Sequence, residues 1–184
     1  MSTASITLIA GMSGLKKNSA ALAHILNGWQ TMVDARFEDG FEAPLALAAA
    51  DAEDVKILSA LAQDAVLTVA DIKYTRAKRQ VVLLLNRFRW ENGARVSPPE
   101  RVRSLLIVDD VLSMAAQGIS PQARDVVLSL LSVEWQAGED GMGRLTLTFA
   151  GDGALALEVE AINLALRDVT KPYQAPSGKT PSHP

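Results

Sequence analysis

The chain has 184 residues, the usual length of a single domain, and a formal net charge of −3 at pH 7. It contains no cysteine, and its two histidines are His24 and His183. The residues between them therefore offer no Ser-His-Asp or Cys-His centre, no histidine-ligated haem and no typical zinc site. No apolar run is long enough for a membrane-spanning helix, and the N-terminus lacks the pattern of a secretory signal. A cysteine-free chain of this kind is expected in the cytoplasm.

The first 44 residues form a predicted N-terminal extension. Four apolar residues at helical spacing predict a helix in it, from about Ser13 to Trp29. The string GMSGLKKNS at residues 11–19 departs from a phosphate-binding loop, because a Walker A motif requires glycine followed at once by lysine and then serine or threonine. Nucleotide binding is therefore not expected there.

A second helix is predicted from Asp51 to about Asp64. Asp51 stands at the N-cap position with Asp54 three residues later, and apolar residues follow at helical spacing. Beyond it, short β-rich runs predict about seven strands in an antiparallel sheet, since no gap has room for the crossover helix that parallel strands need. The predicted strands span residues 66–75, 80–90, 101–108, 111–117, 125–136, 144–150 and 154–160.

The end of the chain is predicted to form a short helix and a tail. Apolar residues between Ile162 and Leu166 favour a short closing helix. Residues 170–184 hold four of the eight prolines, which predicts a disordered tail. Together these elements predict an α+β, mainly antiparallel β fold. It forms a single globular domain over residues 45–169, arranged as a barrel or a sandwich.

Three stretches carry a resemblance to a known family: AEDVKILSALAQDAV (52–66), VVLLLNRFRWE (81–91) and RLTLTFAGDGALALEVEAINLALRDV (144–169). They resemble an uncharacterised bacterial family, domain-of-unknown-function family 2948, over about residues 45–172. The resemblance implies no activity and no catalytic residues. The predicted elements are also similar in number to those of pleckstrin-homology-like barrels, which is an analogy of fold alone.

The resemblance leaves residues 1–31 outside the family. Met32 precedes the string VDARFEDGFEAP and is therefore a candidate for the true first residue. The alternative is that residues 1–31 contribute a genuine extra helix.

The charges are concentrated in the middle of the chain. Residues 1–72 and 104–184 each carry a net charge of −5, whereas residues 73–103 carry +7. If the loop of a hairpin begins at Arg76 and ends at Arg79, Thr75 faces Gln80, and Arg87 faces Thr68 about 26 Å from the turn. The basic residues then form two groups. The hairpin-tip group is Lys73, Arg76, Lys78 and Arg79, and the far group is Arg87, Arg89, Arg95, Arg101 and Arg103.

Two pairs of carboxylates are further candidates for a metal or for acid-base chemistry. Asp109 and Asp110 are adjacent between two predicted strands, where a turn is the favoured interpretation. Glu158 and Glu160 alternate with apolar residues, which is typical of a strand with one solvated face.

The aromatic residues of the predicted strands are expected in the core rather than on a nucleic-acid surface. In the proposed hairpin, Phe88 and Trp90 share a face with Val82, and Arg87 and Arg89 point to the other face. Residues 81–85 are apolar on both faces, which predicts that the helix at 51–64 or a second protomer covers them.

These observations favour a non-enzymatic cytoplasmic binding or scaffold domain that needs no cofactor. Its partner would be a protein or a second copy of the chain. The alternative is that the hairpin tip binds an anionic ligand or nucleic acid through Lys73, Arg76, Lys78 and Arg79. An enzyme that uses carboxylates and a divalent metal is the third hypothesis.

Overall fold

The computed structural model describes residues 44–91, 99–175 and 181. Within them the chain forms one α-helix, α1 (Ala52–Ala62), eleven β-strands and two 3₁₀ turns, Val69–Asp71 and Arg76–Lys78. The strands are β1 (Ala46–Ala49), β2 (Val66–Thr68), β3 (Ile72–Thr75), β4 (Gln80–Phe88), β5 (Glu100–Val108), β6 (Val111–Gln117), β7 (Val127–Ala137), β8 (Gly143–Phe149), β9 (Gly153–Val159), β10 (Leu164–Asp168) and β11 (Tyr173–Gln174). The predicted helix at 13–29, Met32 and Arg95 lie outside the described residues.

Helix α1 begins where the sequence predicts it. The Asp51 carboxylate accepts a hydrogen bond from the backbone N–H of Asp54 at 2.9 Å, which satisfies a free donor of the first turn. Val55, Leu58 and Ala62 recur at intervals of three and four residues, and all three are buried. This apolar face packs on the sheet, mainly against β7, so the predicted helix is confirmed.

All strand pairs are antiparallel and belong to one sheet. Its order is β1-β10-β5-β4-β2-β7-β8-β9-β6, and β3 and β11 pair additionally with β4 and β5. Every second residue of β8 and β9 is buried, as in Leu145, Leu147 and Phe149 of β8. These side chains and the buried face of α1 form one hydrophobic core.

The predicted antiparallel sheet is confirmed, but the number of about seven strands is wrong. The predicted strand at 66–75 is divided by the 3₁₀ turn Val69–Asp71 into β2 and β3. Three short strands, β1, β10 and β11, are additional. They are too short to produce a clear periodic signal, and β1 and β11 gain their stability from partners distant in sequence.

The predicted closing helix is also wrong, since its last residues belong to β10. Leu164 and Leu166 are buried and Ala165 is half-buried, a period of two that β1 and β5 impose by pairing on both sides. The sheet does not close into a barrel, and the described residues contain no helix after the sheet. The pleckstrin-homology-like arrangement therefore does not apply. Tyr173 and Gln174, inside the predicted tail, pair with Arg101 and Glu100.

The apolar run in β4 is covered fully on one face only. Val81, Leu83 and Leu85 are completely buried in the core, whereas Val82 and Leu84 are half-buried. The helix α1 lies on the buried side, where it contacts β4.

Candidate functional site

The basic hairpin tip is built by the turn between β3 and β4. Thr75 is paired with Gln80 as predicted, and the 3₁₀ turn Arg76–Lys78 connects them. Arg79 adopts a left-handed conformation, with φ of 51°, and its N–H donates to the Arg76 carbonyl at 2.9 Å. Its own carbonyl accepts a hydrogen bond from the N–H of Val111 at 2.8 Å. This second bond joins the tip to the start of β6 and holds an unfavourable backbone conformation in place.

The side chain of Arg79 is already engaged. It forms an ion pair with Glu160 at 2.5 Å and donates to the Asp110 carbonyl at 3.4 Å. The hydrogen bond to Glu160 raises the pKa of the Arg79 guanidinium above its ordinary value, so the side chain stays charged. The Arg79 charge is thus matched by a carboxylate on the surface.

Beside the tip, two strands expose edges to each other across a gap that we call the seam. Among the described residues, β3 pairs with β4 alone and β6 pairs with β9 alone, so each strand has one edge on the seam. At the tip, Val111 and Arg79 are joined by their backbones. The next link is the Tyr74 hydroxyl, which donates to the Leu112 carbonyl at 3.5 Å. The described strands form no ladder across the seam, so it is where the sheet fails to close.

Strand β3 lies beside the seam because the pairing with β7 ends at Thr68, and the turn Val69–Asp71 then separates β2 from β3. The pair Val66 and Asn86 and the pair Ile72 and Leu83 differ in register by three residues, the length of this turn. The Asp71 carboxylate caps the turn by accepting from the backbone N–H of Thr68 at 2.8 Å and from its hydroxyl at 2.7 Å. The predicted pairing of Arg87 with Thr68 assumes one uninterrupted strand from residue 66 to 75. Because the turn shifts the register by three residues, that predicted pairing is wrong.

Two cavities lie along the seam, with volumes of about 460 and 400 Å³. Met114 of β6 lines both of them. The first cavity is otherwise lined by Tyr74, Arg76, Arg79, Val111, Leu112 and Ser113. The second is otherwise lined by Val69, Ala70, Ile72, Lys73, Ala116, Ile119, Pro121, Arg124 and Leu155. Each volume is in the range of ligand sites in proteins.

Strand β6 differs from the edge strands that proteins ordinarily leave free. Its sequence is VLSMAAQ, which contains no charged residue, and every residue after Val111 except the half-buried Met114 is exposed. Free edges are normally blocked by charged side chains or proline, because their unpaired N–H and C=O groups attract other strands. Strand β6 has neither, and the one irregularity in its pairing with β9 is a bulge between Val111 and Ser113, which leaves residues 113–117 in a regular ladder.

The four predicted tip residues differ in which of the two cavities, if either, they line. Lys73 lines the second cavity and Arg76 lines the first, where its guanidinium lies 5.9 Å from the centre of the Tyr74 ring. Arg79 also lines the first cavity but is paired with Glu160. Lys78 is exposed and lines neither cavity.

Arg124 was missed as a site residue by the sequence analysis. Its carbonyl accepts the N–H of Ala70 at 3.0 Å, which brings this distant loop against the turn before β3. No local pattern in the sequence indicates that contact.

The far group of arginines is mostly structural. The side chain of Arg87 is completely buried and forms bidentate contacts with Glu91, both at 2.8 Å, and with Asp168, at 3.0 and 2.9 Å. The Ser104 hydroxyl accepts from Arg87 at 3.1 Å and donates to Asp168 at 2.7 Å. We call these four residues, of which Glu91 lies toward the surface, the buried network. Arg89 pairs with Glu100 at 2.7 Å, and Arg101 donates to the Asn86 carbonyl at 2.9 Å.

The buried network keeps its charges by pairing them. Burial by itself would lower the pKa of Arg87, but its hydrogen bonds to Glu91 and Asp168 hold the pKa above its ordinary value. Burial would likewise raise the pKa of Glu91, but hydrogen bonds and the nearby guanidinium groups outweigh it and hold this pKa below its ordinary value. Arg87 is therefore not available to a ligand.

The paired carboxylates are engaged within the fold. Asp109 accepts from Gln80 at 2.7 Å and Asp110 from Asn163 at 3.0 Å, and the two residues form the turn between β5 and β6. Glu158 pairs with Arg144 at 2.6 Å, as Glu160 does with Arg79. Among the described residues, no group of three or more His, Asp or Glu side chains is placed to hold a metal ion.

The aromatic rings contribute mainly to packing. Phe149 and Phe88 are buried, and the Phe88 and Trp90 ring centres lie 4.6 Å apart. The Trp90 indole N–H donates to the Gln63 carbonyl at 2.9 Å. The expectation that these rings pack rather than form an exposed stacking surface agrees with these contacts.

Comparison with known proteins gives a family and no activity. Residues 45–183 match the family described as "Protein of unknown function (DUF2948)". No curated protein and no solved structure matches the chain. In the part of the chain that the structure describes, no helix has the length and apolar character needed to cross a lipid bilayer.

Proposed function

The chain belongs to the DUF2948 family, and for this family member we propose a non-enzymatic binding function in which the seam takes up an extended segment of a partner protein as an added β-strand. The observation that carries the proposal is the pair of open strand edges, β3 and β6, that face each other across the seam. We place this activity in the cytoplasm, in keeping with a chain that contains no cysteine.

Backbone chemistry favours an extended polypeptide as the occupant. Alternate N–H and C=O groups of an edge strand lie outside its ladder and are free to pair with a new strand. In the seam such groups are present on both sides, so an inserted segment gains hydrogen bonds from β6 and from β3. The Tyr74 hydroxyl, which now donates to the Leu112 carbonyl, would be displaced by a backbone donor of the segment.

The lining of the seam supplies pockets for apolar side chains. Ile72, Met114 and Ile119 are each half-buried and pack against the core from the wall of the second cavity. A bound strand directs alternate side chains to the same face, so every second residue of the segment would enter this wall. Apolar side chains there would remove surface from water at about 25 cal/mol per Å².

The other two hypotheses have less support. The carboxylates that an enzyme would use are bonded to Gln80, Asn163, Arg144 and Arg79. For nucleic acid, stacking needs exposed rings beside the cations. Among the described residues, Tyr74 is the one aromatic residue in either lining; it lines the first cavity and is half-buried. The hairpin tip remains part of our proposal through Lys73 and Arg76, which line the seam.

The test is binding of a nine-residue capped peptide that alternates valine and threonine, with Ala116→Trp and Ala115→Trp as matched variants. Both alanines are exposed neighbours in β6, but only Ala116 lines a cavity. We expect wild type and Ala115→Trp to bind the peptide and Ala116→Trp to bind at least about tenfold more weakly, because the indole fills the second cavity. On peptide addition, amide exchange should slow in residues 111–117 more than in α1.

Three results would overturn this proposal. One is the absence of peptide binding to wild type, and another is equal loss of binding in both tryptophan variants. The third is a mass that rises with protein concentration in wild type and not in Ala116→Trp, which would assign the seam to a second copy of the chain.

A further inference from the structure

The charged side chains that line the two cavities all have one sign. Among the described residues, every charged side chain that lines either cavity is a cation, namely Lys73, Arg76, Arg79 or Arg124, and no carboxylate lines them. The whole chain is acidic, with a net charge of −3. A cationic lining on an acidic protein is a local feature of the site and does not follow from its composition.

Three of these cations have no carboxylate partner within the described residues. Arg79 is paired with Glu160, whereas Lys73 and Arg124 have no side-chain hydrogen bond or ion pair within the described residues. The contact found for Arg76 is with the Tyr74 ring, which supplies no negative charge to pair with it. The Asp71 carboxylate, close to Lys73 in sequence, is already bonded to Thr68.

The cations flank an apolar centre. Arg76 lines the first cavity, and Lys73 and Arg124 line the second. Met114 lies between them as the residue common to both. An extended segment along the seam therefore meets an apolar surface in the middle and positive charge toward both ends.

From this arrangement we infer that the seam selects acidic segments, in which apolar side chains alternate with glutamate or aspartate. The inference rests on the proposed function and specifies its partner. Carboxylates on the segment would pair with Lys73, Arg76 and Arg124, while the apolar residues between them occupy the wall around Met114. Such charge complementarity mainly sets selectivity and the rate of association, and salt weakens it.

The experiment compares three capped nine-residue peptides in which valine alternates with glutamate, threonine or lysine. At about 20 mM salt we expect the glutamate peptide to bind about tenfold more tightly than the threonine peptide, and the lysine peptide to bind most weakly. At about 300 mM salt the differences should shrink, because the Debye length falls well below 10 Å.

A charge-matched pair of variants locates the effect. The triple variant Lys73→Gln, Arg76→Gln and Arg124→Gln should lower the affinity for the glutamate peptide to that for the threonine peptide, whose own affinity should stay unchanged. The control triple variant Lys56→Gln, Lys78→Gln and Arg103→Gln removes three exposed cations that line neither cavity. It should retain the preference for glutamate.

The outcomes separate this inference from the proposed function. Equal binding of all three peptides would overturn the acidic preference and leave strand addition intact. Failure of all three peptides to bind would overturn both. Binding of single-stranded poly-dT that the first triple variant abolishes, without preference for the glutamate peptide, would assign the cations to nucleic acid and also overturn the inference.

Discussion

Basic residues lie at or just beyond both ends of β4, and the fold uses them in opposite ways. At one end, Arg87 is completely buried and held by Glu91, Asp168 and Ser104. At the other end, Lys78 is exposed and Arg76 lines an open cavity. What separates them is the position of the carboxylates. Asp168 reaches Arg87 from β10, whereas Arg76 forms no ion pair within the described residues and contacts the Tyr74 ring instead.

A buried charge is stable only when its pairing offsets the loss of hydration. The buried network achieves this with two bidentate contacts, and the Asp168 side chain is only 5% exposed. An exposed charge keeps its hydration and contributes little to stability, so it is free to serve binding. The same residue type is therefore structural at one end of the strand and available to a ligand at the other.

The largest effect is expected from Arg87→Met, which keeps the volume of the side chain and removes its charge. Asp168 would then be left buried without its partner, and the free energy of unfolding should fall by about 3–5 kcal/mol. Urea unfolding followed by circular dichroism measures this change. If the variant does not fold, Arg87→Lys keeps a charge but loses the bidentate geometry and should show an intermediate loss.

The matched control for this experiment is Lys78→Met at the other end of the strand. Lys78 is exposed, and no side-chain contact to it is found within the described residues, so the loss should stay within about 0.5 kcal/mol. Losses of similar size in Arg87→Met and Lys78→Met would contradict the division of β4 into a structural and an available end.

The buried network should also make stability depend on pH. The pKa of Glu91 in the folded protein lies below its ordinary value of 4.5, so the unfolded chain binds more protons at this group. The contribution of Glu91 to the free energy of unfolding is fully present above about pH 4.5. It is lost as the pH falls through the pKa that Glu91 has in the folded protein. Glu91→Gln should therefore be less stable than wild type at pH 7, and the difference should narrow as the pH falls below about 4.5.

Unfolding by urea at several pH values measures that difference. Gly143→Ala is the control for destabilisation as such, because a Cβ at Gly143 would overlap the Trp135 ring and changes no titratable group. Its loss of stability relative to wild type should stay constant over the same pH range. A difference for Glu91→Gln that widens as the pH falls would refute the sign argued for Glu91.

Part of the buried network can be found in the sequence once the strands are known. In β4, Val81, Leu83 and Leu85 point inward, and Arg87 continues the same period of two. Leu164, Leu166 and Asp168 form the corresponding series in β10. The second series is hard to recognise in the sequence, because the pattern of a five-residue strand is too short to distinguish a strand from a helix.

The seam is harder to predict from the sequence, because it is defined by the lack of a hydrogen-bonded ladder between the described strands β3 and β6. Strands and helix α1 follow from local pattern and capping, and the turn between Thr75 and Gln80 follows from the hairpin. Which strands lie at an edge is decided by the order of the whole sheet. The three-residue turn between β2 and β3 consists of Val69, Ala70 and Asp71, and only the last of these is a turn residue by type.

The smallest expected effect concerns Arg79 at the hairpin tip, which shares one property with the arginines at each end of β4. Like Arg87 it has a carboxylate partner, and like Arg76 it lines the first cavity. Glu160→Gln should release its charge to the seam. Because the pair is exposed, we expect no measurable change in the urea midpoint and an affinity for the glutamate peptide that rises about twofold at low salt.

Glu158→Gln makes the same change in net charge but frees Arg144, which lines neither cavity, and should leave the affinity unchanged. An equal rise in both variants would show that the peptide senses only the net charge of the protein. No rise in either would show that a bound segment does not reach Arg79, and would limit the cationic part of the seam to Lys73, Arg76 and Arg124.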